Sequence, residues 1–316
     1  MKRVKLGVGG IEVTELCFGT LTVSRLQSGI PPHEAAPIIR RALDLGVDFV
    51  DTAQNYQTYE HVAAAIKGRK EKPVIATKSH ARTYEDMNSA VEEALEKLAV
   101  EHLDLFLLHL IRSEEDLRGR NGALDCLLEY KNRGVIRSLG LSTHTIEGLR
   151  PALDHPEIEV VLPCINLNGL GINDGTFEEF APILRALHAR GKGVYAMKPL
   201  GGGHLFNDVP AALNFVRSLD AVDAIAVGMQ NVAEVEMNVR IFNDEPVPAD
   251  VRERAKQISR KLIIYHRICT GCGSCVEHCE QGALSIVDEK SVVDQSKCIL
   301  CGYCANECPV FCIRVI

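Results

Sequence analysis

The 316-residue sequence lacks the features that would assign it to several large classes of protein. It has no apolar stretch of about 20 residues, which a membrane-spanning helix would need. Its start, MKRVKLGVGG, does not lead into the apolar region of a secretory signal. It has no cluster of Lys and Arg, and its net charge of -7 argues against nucleic acid as a partner. These absences predict a cytoplasmic protein with no membrane or nucleic-acid partner.

What is present is typical of a large globular core, with 46% hydrophobic and 24% charged residues. Eight short apolar runs are each followed by a segment of helical period, for example VDFVDTA before EHVAAAIKG. Runs that are apolar on both faces indicate parallel strands covered by helices. Eight such units predict an α/β fold, a closed (β/α)₈ TIM barrel. A doubly wound open sheet is the alternative, but CFGTLTVSRL is not the G-x-G-x-x-G turn that it would want.

The regions outside these units complete the predicted organisation. An apolar run on each side of Gly7, Gly9 and Gly10 indicates an N-terminal β-hairpin over residues 4–13. The segment NDEPVPADVRE breaks the repeating pattern and opens a predicted helix that reaches about Leu262. We therefore predict a barrel over residues 1–245, a linker helix over 246–265 and a second domain over 266–316.

Cysteine is concentrated in that second domain, where nine of the twelve cysteines lie. In a cytosolic protein such a cluster favours metal over disulfides, whereas Cys17, Cys126 and Cys164 are predicted to be small buried apolar side chains. The segments CTGCGSCVEHCE and CILCGYCANECP repeat the pattern C-x₂-C-G-x-C-x₃-C, offset by 29 residues. Three thiolates spaced in this way wrap a cubane cluster, and the fourth cysteine goes to the neighbouring cluster. A zinc ribbon, the alternative, would want two separated C-x₂-C knuckles.

Residues 269–316 resemble the bacterial two-cluster ferredoxins. The resemblance implies two [4Fe-4S] clusters, in a small ferredoxin-like 2[4Fe-4S] domain. The first motif departs from the family at Glu280, where proline is usual, and Cys312 lies outside the pattern and is predicted to pack rather than to bind iron. The implied ligands are Cys269, Cys272, Cys275 and Cys308 for one cluster, and Cys298, Cys301, Cys304 and Cys279 for the other.

Ionisable residues follow three consecutive predicted strands of the barrel. Asp51 and Tyr56 follow VDFV, Lys78 ends VIATK, and His109 follows DLFLL. Catalytic residues of such barrels lie at the C-terminal ends of strands, so these four are expected to converge. A tyrosine hydroxyl titrates near 10, so it needs a nearby cation to exchange protons at neutral pH, and the cation needs an anion. Lys78 and Asp51 are predicted to be that pair, with His109 facing a carbonyl oxygen.

The segments VDFVDTAQNYQTYE, VIATKS, DLFLLH, GVIRSLGLSTH and GVYAMKPLGGG resemble the aldo-keto reductase family over residues 3–245. The resemblance implies Tyr56 as general acid, Lys78 as the group that modifies its pKa, Asp51 as partner of Lys78, and His109 as the residue that orients substrate. It also implies a nicotinamide dinucleotide bound without a Rossmann fold. The implied contacts of that cofactor are Thr20, Ser142, Asn166, Met197, Lys198, Gly201 and Asn238.

Several positions on the cofactor side depart from the family. Thr143 replaces the usual Asn or His, Leu162 the usual Gln, and Met197 the aromatic that stacks on nicotinamide. Gly228 and Glu234 stand where members that select NADP place Lys and Arg. Because a carboxylate repels phosphate, NADH is expected to compete well with NADPH, and the preferred nucleotide stays open.

Three hypotheses for function follow. In the first, an oxidoreductase with aldo/keto reductase chemistry reduces a small carbonyl substrate with NAD(P)H, and the clusters transfer electrons or stabilise the fold. In the second, the same site receives single electrons from the clusters, with or without a flavin, although no motif indicates a flavin. In the third, the chain is a non-catalytic redox sensor or electron-transfer adaptor. A redox partner protein is compatible with each.

The surroundings of the barrel mouth give two further expectations. The chain lacks the family's usual C-terminal tail, so we expect the ferredoxin-like domain to help close the mouth. The charged loop HLIRSEEDLRGRNG either frames the substrate or is a solvated loop.

Overall fold

The computed structural model describes residues 1–7, 10–256 and 261–315. Its centre is a closed barrel of eight parallel strands in the order β10-β3-β4-β5-β6-β7-β8-β9. This confirms the predicted TIM barrel and excludes the open sheet. The barrel strands are β3 (Leu16–Gly19), β4 (Phe49–Asp51), β5 (Val74–Ser79), β6 (Leu103–Leu108), β7 (Ile136–Thr143), β8 (Val160–Pro163), β9 (Gly193–Met197) and β10 (Ala224–Gly228).

Helices follow the strands and cover the outside of the barrel. Some of them begin after a side chain that caps a free backbone N–H group, as Thr83 does for Asp86 and as Thr176 and Glu179 do in a capping box. The helices of this part of the chain are α1 (Pro32–Asp44), α2 (Tyr59–Ile66), α3 (Tyr84–Leu98), α4 (Glu114–Arg118), α5 (Asn121–Asn132), α6 (Ile146–Leu149), α7 (Phe177–Ala189), α8 (Val209–Arg217), α9 (Val232–Phe242) and α10 (Ala249–Lys256).

The predicted hairpin consists of β1 (Arg3–Leu6) and β2 (Ile11–Thr14), which pair antiparallel. Val8 and Gly9 lie outside the described residues. Leu6, Ile11 and Val13 belong to the same apolar cluster as the inward-facing residues of the barrel. The hairpin therefore closes the N-terminal end of the barrel, and the opposite end is left for a site.

The C-terminal segment contains β11 (Leu262–Ile264), α11 (Ser274–Glu277), β12 (Leu284–Val287), β13 (Lys290–Val293), α12 (Tyr303–Asn306) and β14 (Ile313–Val315). Strand β11 pairs with β14, and β12 pairs with β13. The structure differs here from the expected helix reaching Leu262, because Leu262 pairs with Val315 and begins a strand. Residues 257–260 of that expected helix lie outside the described part of the chain.

Within the described residues, no helix has both the length and the apolar character needed to cross a membrane. The cysteines Cys17, Cys126 and Cys164 are fully buried, as predicted. They pack in the apolar core of the barrel or lie next to it.

Candidate active site

The structure brings the four predicted catalytic residues together at the C-terminal end of the barrel. Asp51 ends β4, Lys78 lies in β5, His109 directly follows β6, and Tyr56 lies in the short 3₁₀ helix after β4. All four side chains are buried. The parallel direction of the strands explains this arrangement, since the C-terminal ends of neighbouring parallel strands lie at the same end of the barrel.

Lys78 and Asp51 form a buried ion pair. The ammonium Nζ donates to Asp51 Oδ1 at 2.7 Å and Oδ2 at 2.8 Å, and to the carbonyl oxygen of Thr52 at 2.8 Å. Tyr195 on β9, which sequence reasoning missed, donates its hydroxyl to Asp51 Oδ2 at 3.0 Å. Burial lowers the pKa of Lys78, while Asp51 opposes that shift. The pair is thus fixed by hydrogen bonds on every side, as a buried charge requires.

Tyr56 lies against this pair. The Lys78 Nζ is 4.9 Å from the centre of the Tyr56 ring. Burial raises the pKa of Tyr56 well above its usual value, and the neighbouring Tyr303 and Asp51 raise it further. The phenol is therefore protonated at neutral pH, which suits a proton donor better than a base.

His109 faces Tyr56, with ring centres 5.8 Å apart and nearly perpendicular. The His80 ring stacks on His109 with centres 4.1 Å apart. Burial, reinforced by His80 and Lys78, lowers the pKa of His109 well below its usual value. Burial likewise lowers the pKa of His80, to about 4. Both rings are neutral at neutral pH, so His109 is a hydrogen-bonding group in this site rather than a cation.

A cavity of about 770 Å³, open to solvent, adjoins Tyr56 and Asp51. Of the seven predicted cofactor contacts, Met197 and Lys198 line it. The hydroxyl of Thr20 pairs with Thr58, and Ser142 Oγ accepts from the backbone of Leu110. Asn166 Nδ2 donates to the carbonyl oxygen of Leu170 at 2.7 Å, and Asn166 Oδ1 accepts from the backbone N–H of Leu170 at 2.9 Å, so its amide is used within the loop after β8.

The other two predicted contacts, Gly201 and Asn238, also lie outside the lining of this cavity. Gly201 has a positive φ of 56°, in the turn after β9. The buried Asn238 Oδ1 has no hydrogen-bond partner among the described residues. Near it, Glu234 is buried and accepts from the backbone N–H of Gln230 at 2.6 Å.

The predicted cluster ligands surround two separate cavities. One, of about 280 Å³, is lined by Cys269, Cys272, Cys275 and Cys308, together with Cys312. The other, of about 340 Å³, is lined by the second quartet, Cys279, Cys298, Cys301 and Cys304. Each quartet thus combines three cysteines of one motif with the fourth cysteine of the other.

The surroundings of these cavities fit iron-sulfur clusters. Among residues 1–7, 10–256 and 261–315, no three His, Cys, Asp or Glu side chains are close enough to share a single metal ion. Backbone N–H groups donate to the sulfurs of Cys269, Cys279 and Cys308 at 3.3–3.4 Å. Such bonds stabilise the charge of a thiolate that binds a cluster. Cys312 lies close by, with its Sγ 3.4 Å from that of Cys308.

The second cysteine motif docks on the barrel mouth, which confirms the expectation that the C-terminal domain closes it. His204 bonds to the carbonyl oxygen of Cys298 at 2.6 Å, and Gln27 to that of Leu300 at 2.5 Å. Gly302 has a φ of 80°, and a Cβ there would lie 1.9 Å from the carbonyl oxygen of Leu26. Glycine at this point is therefore required for the close approach.

The first motif also reaches the barrel. Arg112, in the charged loop after β6, forms an ion pair with Glu280, the residue that replaces the usual proline. In the same loop, the buried Arg120 donates to the carbonyl oxygen of His109 at 2.9 Å. The loop therefore borders the site rather than lying free in solvent.

Comparison with known proteins identifies the families to which the two parts of the chain are similar. Residues 15–210 match the model of the aldo/keto reductase family, and residues 261–309 match that of a 4Fe-4S dicluster domain. The chain belongs to the aldo/keto reductase family. The match extends over more than half of the sequence, and the chain is an oxidoreductase that carries a 4Fe-4S domain.

Individual relatives agree with this assignment. The aldo/keto reductase is 27% identical over 222 residues to the uncharacterized oxidoreductase YqkF of Bacillus subtilis, covering 63% of this chain and 68% of that protein. It is 26% identical to 6-dehydroglucose reductase of Novosphingobium aromaticivorans, covering 70% and 76%. A crystal structure provisionally described as an aldo-keto reductase of Pseudomonas aeruginosa is 27% identical, with a TM-score of 0.66 over 77% of this chain and 95% of that one.

Proposed function

We propose that this aldo/keto reductase reduces an aldehyde or ketone to an alcohol, with hydride from NADH or NADPH and a proton from Tyr56. The observation that carries the proposal is the convergence of Tyr56, His109 and the Lys78–Asp51 pair beside the large cavity. A small-molecule carbonyl compound is the proposed substrate, with residues 1–245 as the domain that binds it.

The proton would come from Tyr56. Because burial raises the pKa of Tyr56, its hydroxyl carries a proton at neutral pH and can give it to an alkoxide as charge develops. Lys78, fixed by Asp51, stabilises the phenolate left behind by placing a cation beside the ring. Neutral His109 positions the oxygen through Nε2. The protonated state of Tyr56 favours reduction of the carbonyl over oxidation of the alcohol.

A nicotinamide dinucleotide, when bound, supplies the hydride. Met197 and Lys198 line the cavity next to Tyr56 and would contact its nicotinamide end, while Thr20, Ser142, Asn166, Gly201 and Asn238 remain proposed contacts. Because Glu234 stands where a cation would hold the 2′-phosphate, we expect NADH to compete with NADPH. A dissociation constant much lower for NADPH than for NADH would contradict this.

We propose that Cys269, Cys272, Cys275 and Cys308 hold one [4Fe-4S] cluster and that Cys279, Cys298, Cys301 and Cys304 hold the other. A module over residues 266–316, linked by residues 246–265, would then pass single electrons from or to a redox partner protein. Such clusters are sensitive to oxygen, so a reducing cytoplasm is the proposed location.

One observation favours a second function, in which the clusters feed electrons to the carbonyl site. Ile299 lines both the cavity beside Tyr56 and the cavity of the second cysteine quartet. The Ile299 side chain is thus shared by the walls of the two cavities. The third hypothesis, a sensor or adaptor without turnover, predicts that the catalytic residues are dispensable.

The variant Tyr56→Phe tests the enzyme hypotheses. We expect reduction of a panel of aldehydes and ketones, measured anaerobically with NADH and NADPH, to fall about 100-fold or more because the proton donor is lost. Tyr59→Phe is the matched control, since Tyr59 is also buried but bonds to Thr77 in the outer core. If Tyr56→Phe retains wild-type turnover, Tyr56 is not the proton donor. Absence of turnover in the wild type would leave the sensor hypothesis.

A further inference from the structure

Tyr303 belongs to the C-terminal module but places its hydroxyl in the barrel's candidate active site. It lies in α12, between the proposed cluster ligands Cys301 and Cys304. Its hydroxyl is 3.3 Å from His109 Nε2, and its side chain packs against the apolar cluster that contains Tyr56. No sequence motif predicted this contact, because it joins residues 194 positions apart.

The position of this hydroxyl is the important point. Under the proposed function, Tyr56 and His109 are the two groups that hold the carbonyl oxygen of a substrate. The Tyr303 hydroxyl bonds to His109 and lies in the same cavity lining as Tyr56, so it lies where that oxygen would lie. A substrate oxygen and the Tyr303 hydroxyl cannot occupy the same point.

Tyr303 also divides two cavities. One is the cavity beside Tyr56 that is lined by Met197 and Lys198. The other is an outer cavity of about 1300 Å³ between barrel and module, lined by His80 and Arg112 among others. Tyr303 is part of the lining of both cavities. A substrate that enters through the outer cavity therefore meets the Tyr303 ring before it reaches Tyr56.

The backbone next to Tyr303 is held in place. The positive φ of Gly302 and its close approach to Leu26 fix the residue before it, and Gln27 bonds the carbonyl oxygen of Leu300. The Tyr303 ring makes edge contacts with the rings of His109 and His80, each with centres 6.4 Å apart. A rotation of the side chain is thus a smaller change than undocking of the loop.

We infer that Tyr303 is a gating residue of the carbonyl site. Its hydroxyl occupies the position of the substrate's carbonyl oxygen until a substrate displaces it. This rests on the proposed function for the identity of the ligand. If Tyr303 is such a gate, substrate binding moves a side chain that lies between Cys301 and Cys304. The module therefore contributes directly to the substrate site of the barrel.

The variant Tyr303→Phe tests this inference, because it keeps the ring and removes the hydroxyl. The probe is acetophenone, an aryl ketone, with NADH or NADPH as reductant. Loss of one competing hydrogen bond should lower KM for acetophenone about three- to tenfold with little change in kcat. The control is Tyr265→Phe, in the same module but with an exposed side chain. Iron and sulfide contents should match the wild type in both variants.

A second readout does not depend on turnover. The seven tyrosines can be labelled as 3-fluorotyrosine, and the ¹⁹F resonance absent from Tyr303→Phe identifies Tyr303. Acetophenone added with oxidised NAD should shift this resonance and leave that of Tyr265 in place.

The possible results separate the two claims. An unchanged or raised KM in Tyr303→Phe, or an unmoved Tyr303 resonance, overturns the gating role. If Tyr303→Phe reduces acetophenone with the KM of the wild type, the gating role is overturned and the proposed function stands. A shifted resonance without turnover of acetophenone, or of any aldehyde or ketone of the panel, by either nucleotide would support the gating role and contradict the proposed reduction.

Discussion

Replacement of Lys78 by Met is the perturbation whose effect the structure defines most closely. The Lys78 side chain is fully buried and makes two hydrogen bonds to the Asp51 carboxylate and one to the carbonyl oxygen of Thr52. After Lys78→Met, Asp51 keeps only the Tyr195 hydroxyl among these donors, and its charge remains buried. Removing one partner of a buried ion pair costs about 3–5 kcal/mol.

The assay is thermal unfolding of the anaerobic holoprotein, followed by far-ultraviolet circular dichroism. For a chain of this size, the lost free energy of unfolding corresponds to a fall in Tm on the order of 5–15 °C. Turnover should also fall, about 100-fold or more, because the cation beside the Tyr56 ring is lost.

The double variant Lys78→Met with Asp51→Asn is the control. It removes both charges, so no unpaired charge stays buried, and most of the lost stability should return while turnover stays low. A Tm for Lys78→Met within about 2 °C of the wild type would refute the buried ion pair.

Three further predictions concern the clusters and pH. Cys279→Ser and Cys308→Ser should each remove about four of about eight irons, from different clusters, whereas Cys312→Ser should keep all of them in an iron and sulfide assay; iron loss in Cys312→Ser would make that residue a ligand. Burial lowers the pKa of His144 to about 3, so below about pH 6.5 the unfolded state binds a proton that the folded state does not. The free energy of unfolding should then fall by about 1.4 kcal/mol for each pH unit by which the pH is lowered below about 6.5. His144→Gln should lessen this dependence, and a slope of Tm against pH equal to that of the wild type would contradict the prediction. Because the pKa of Tyr56 is raised, carbonyl reduction should not decline until the pH exceeds about 10, and a decline near pH 8 in the rate profile would identify another donor.

The barrel and the convergence of its candidate catalytic residues could be predicted because both depend on local pattern. The period of apolar residues locates each strand, and a polar residue at a strand end then lies at the mouth. Asp51, Lys78 and His109 follow from this rule, since β4, β5 and β6 are neighbours. The spacing of the cysteines in the second domain is a similar local signal, and residues 261–309 match a 4Fe-4S dicluster domain.

Contacts between distant segments could not be predicted in this way. Tyr303 reaches His109 only because Gly302 lets the module approach Leu26, which no spacing reveals. In the sequence, Tyr195 fits the apolar pattern of β9, and only the structure shows that its hydroxyl donates to Asp51. The strand that begins at Leu262 depends on its pairing with Val315, more than fifty residues away.

The most direct test of the proposed function follows the hydride itself. NADH with both C4 hydrogens replaced by deuterium is incubated anaerobically with the holoprotein and a carbonyl substrate, and the alcohol is analysed by mass spectrometry. Because hydride transfer places that hydrogen on the carbonyl carbon, we expect one deuterium per alcohol molecule. Alcohol without deuterium, formed equally well by reduced protein in the absence of nucleotide, would contradict the proposal and favour electrons supplied by the clusters.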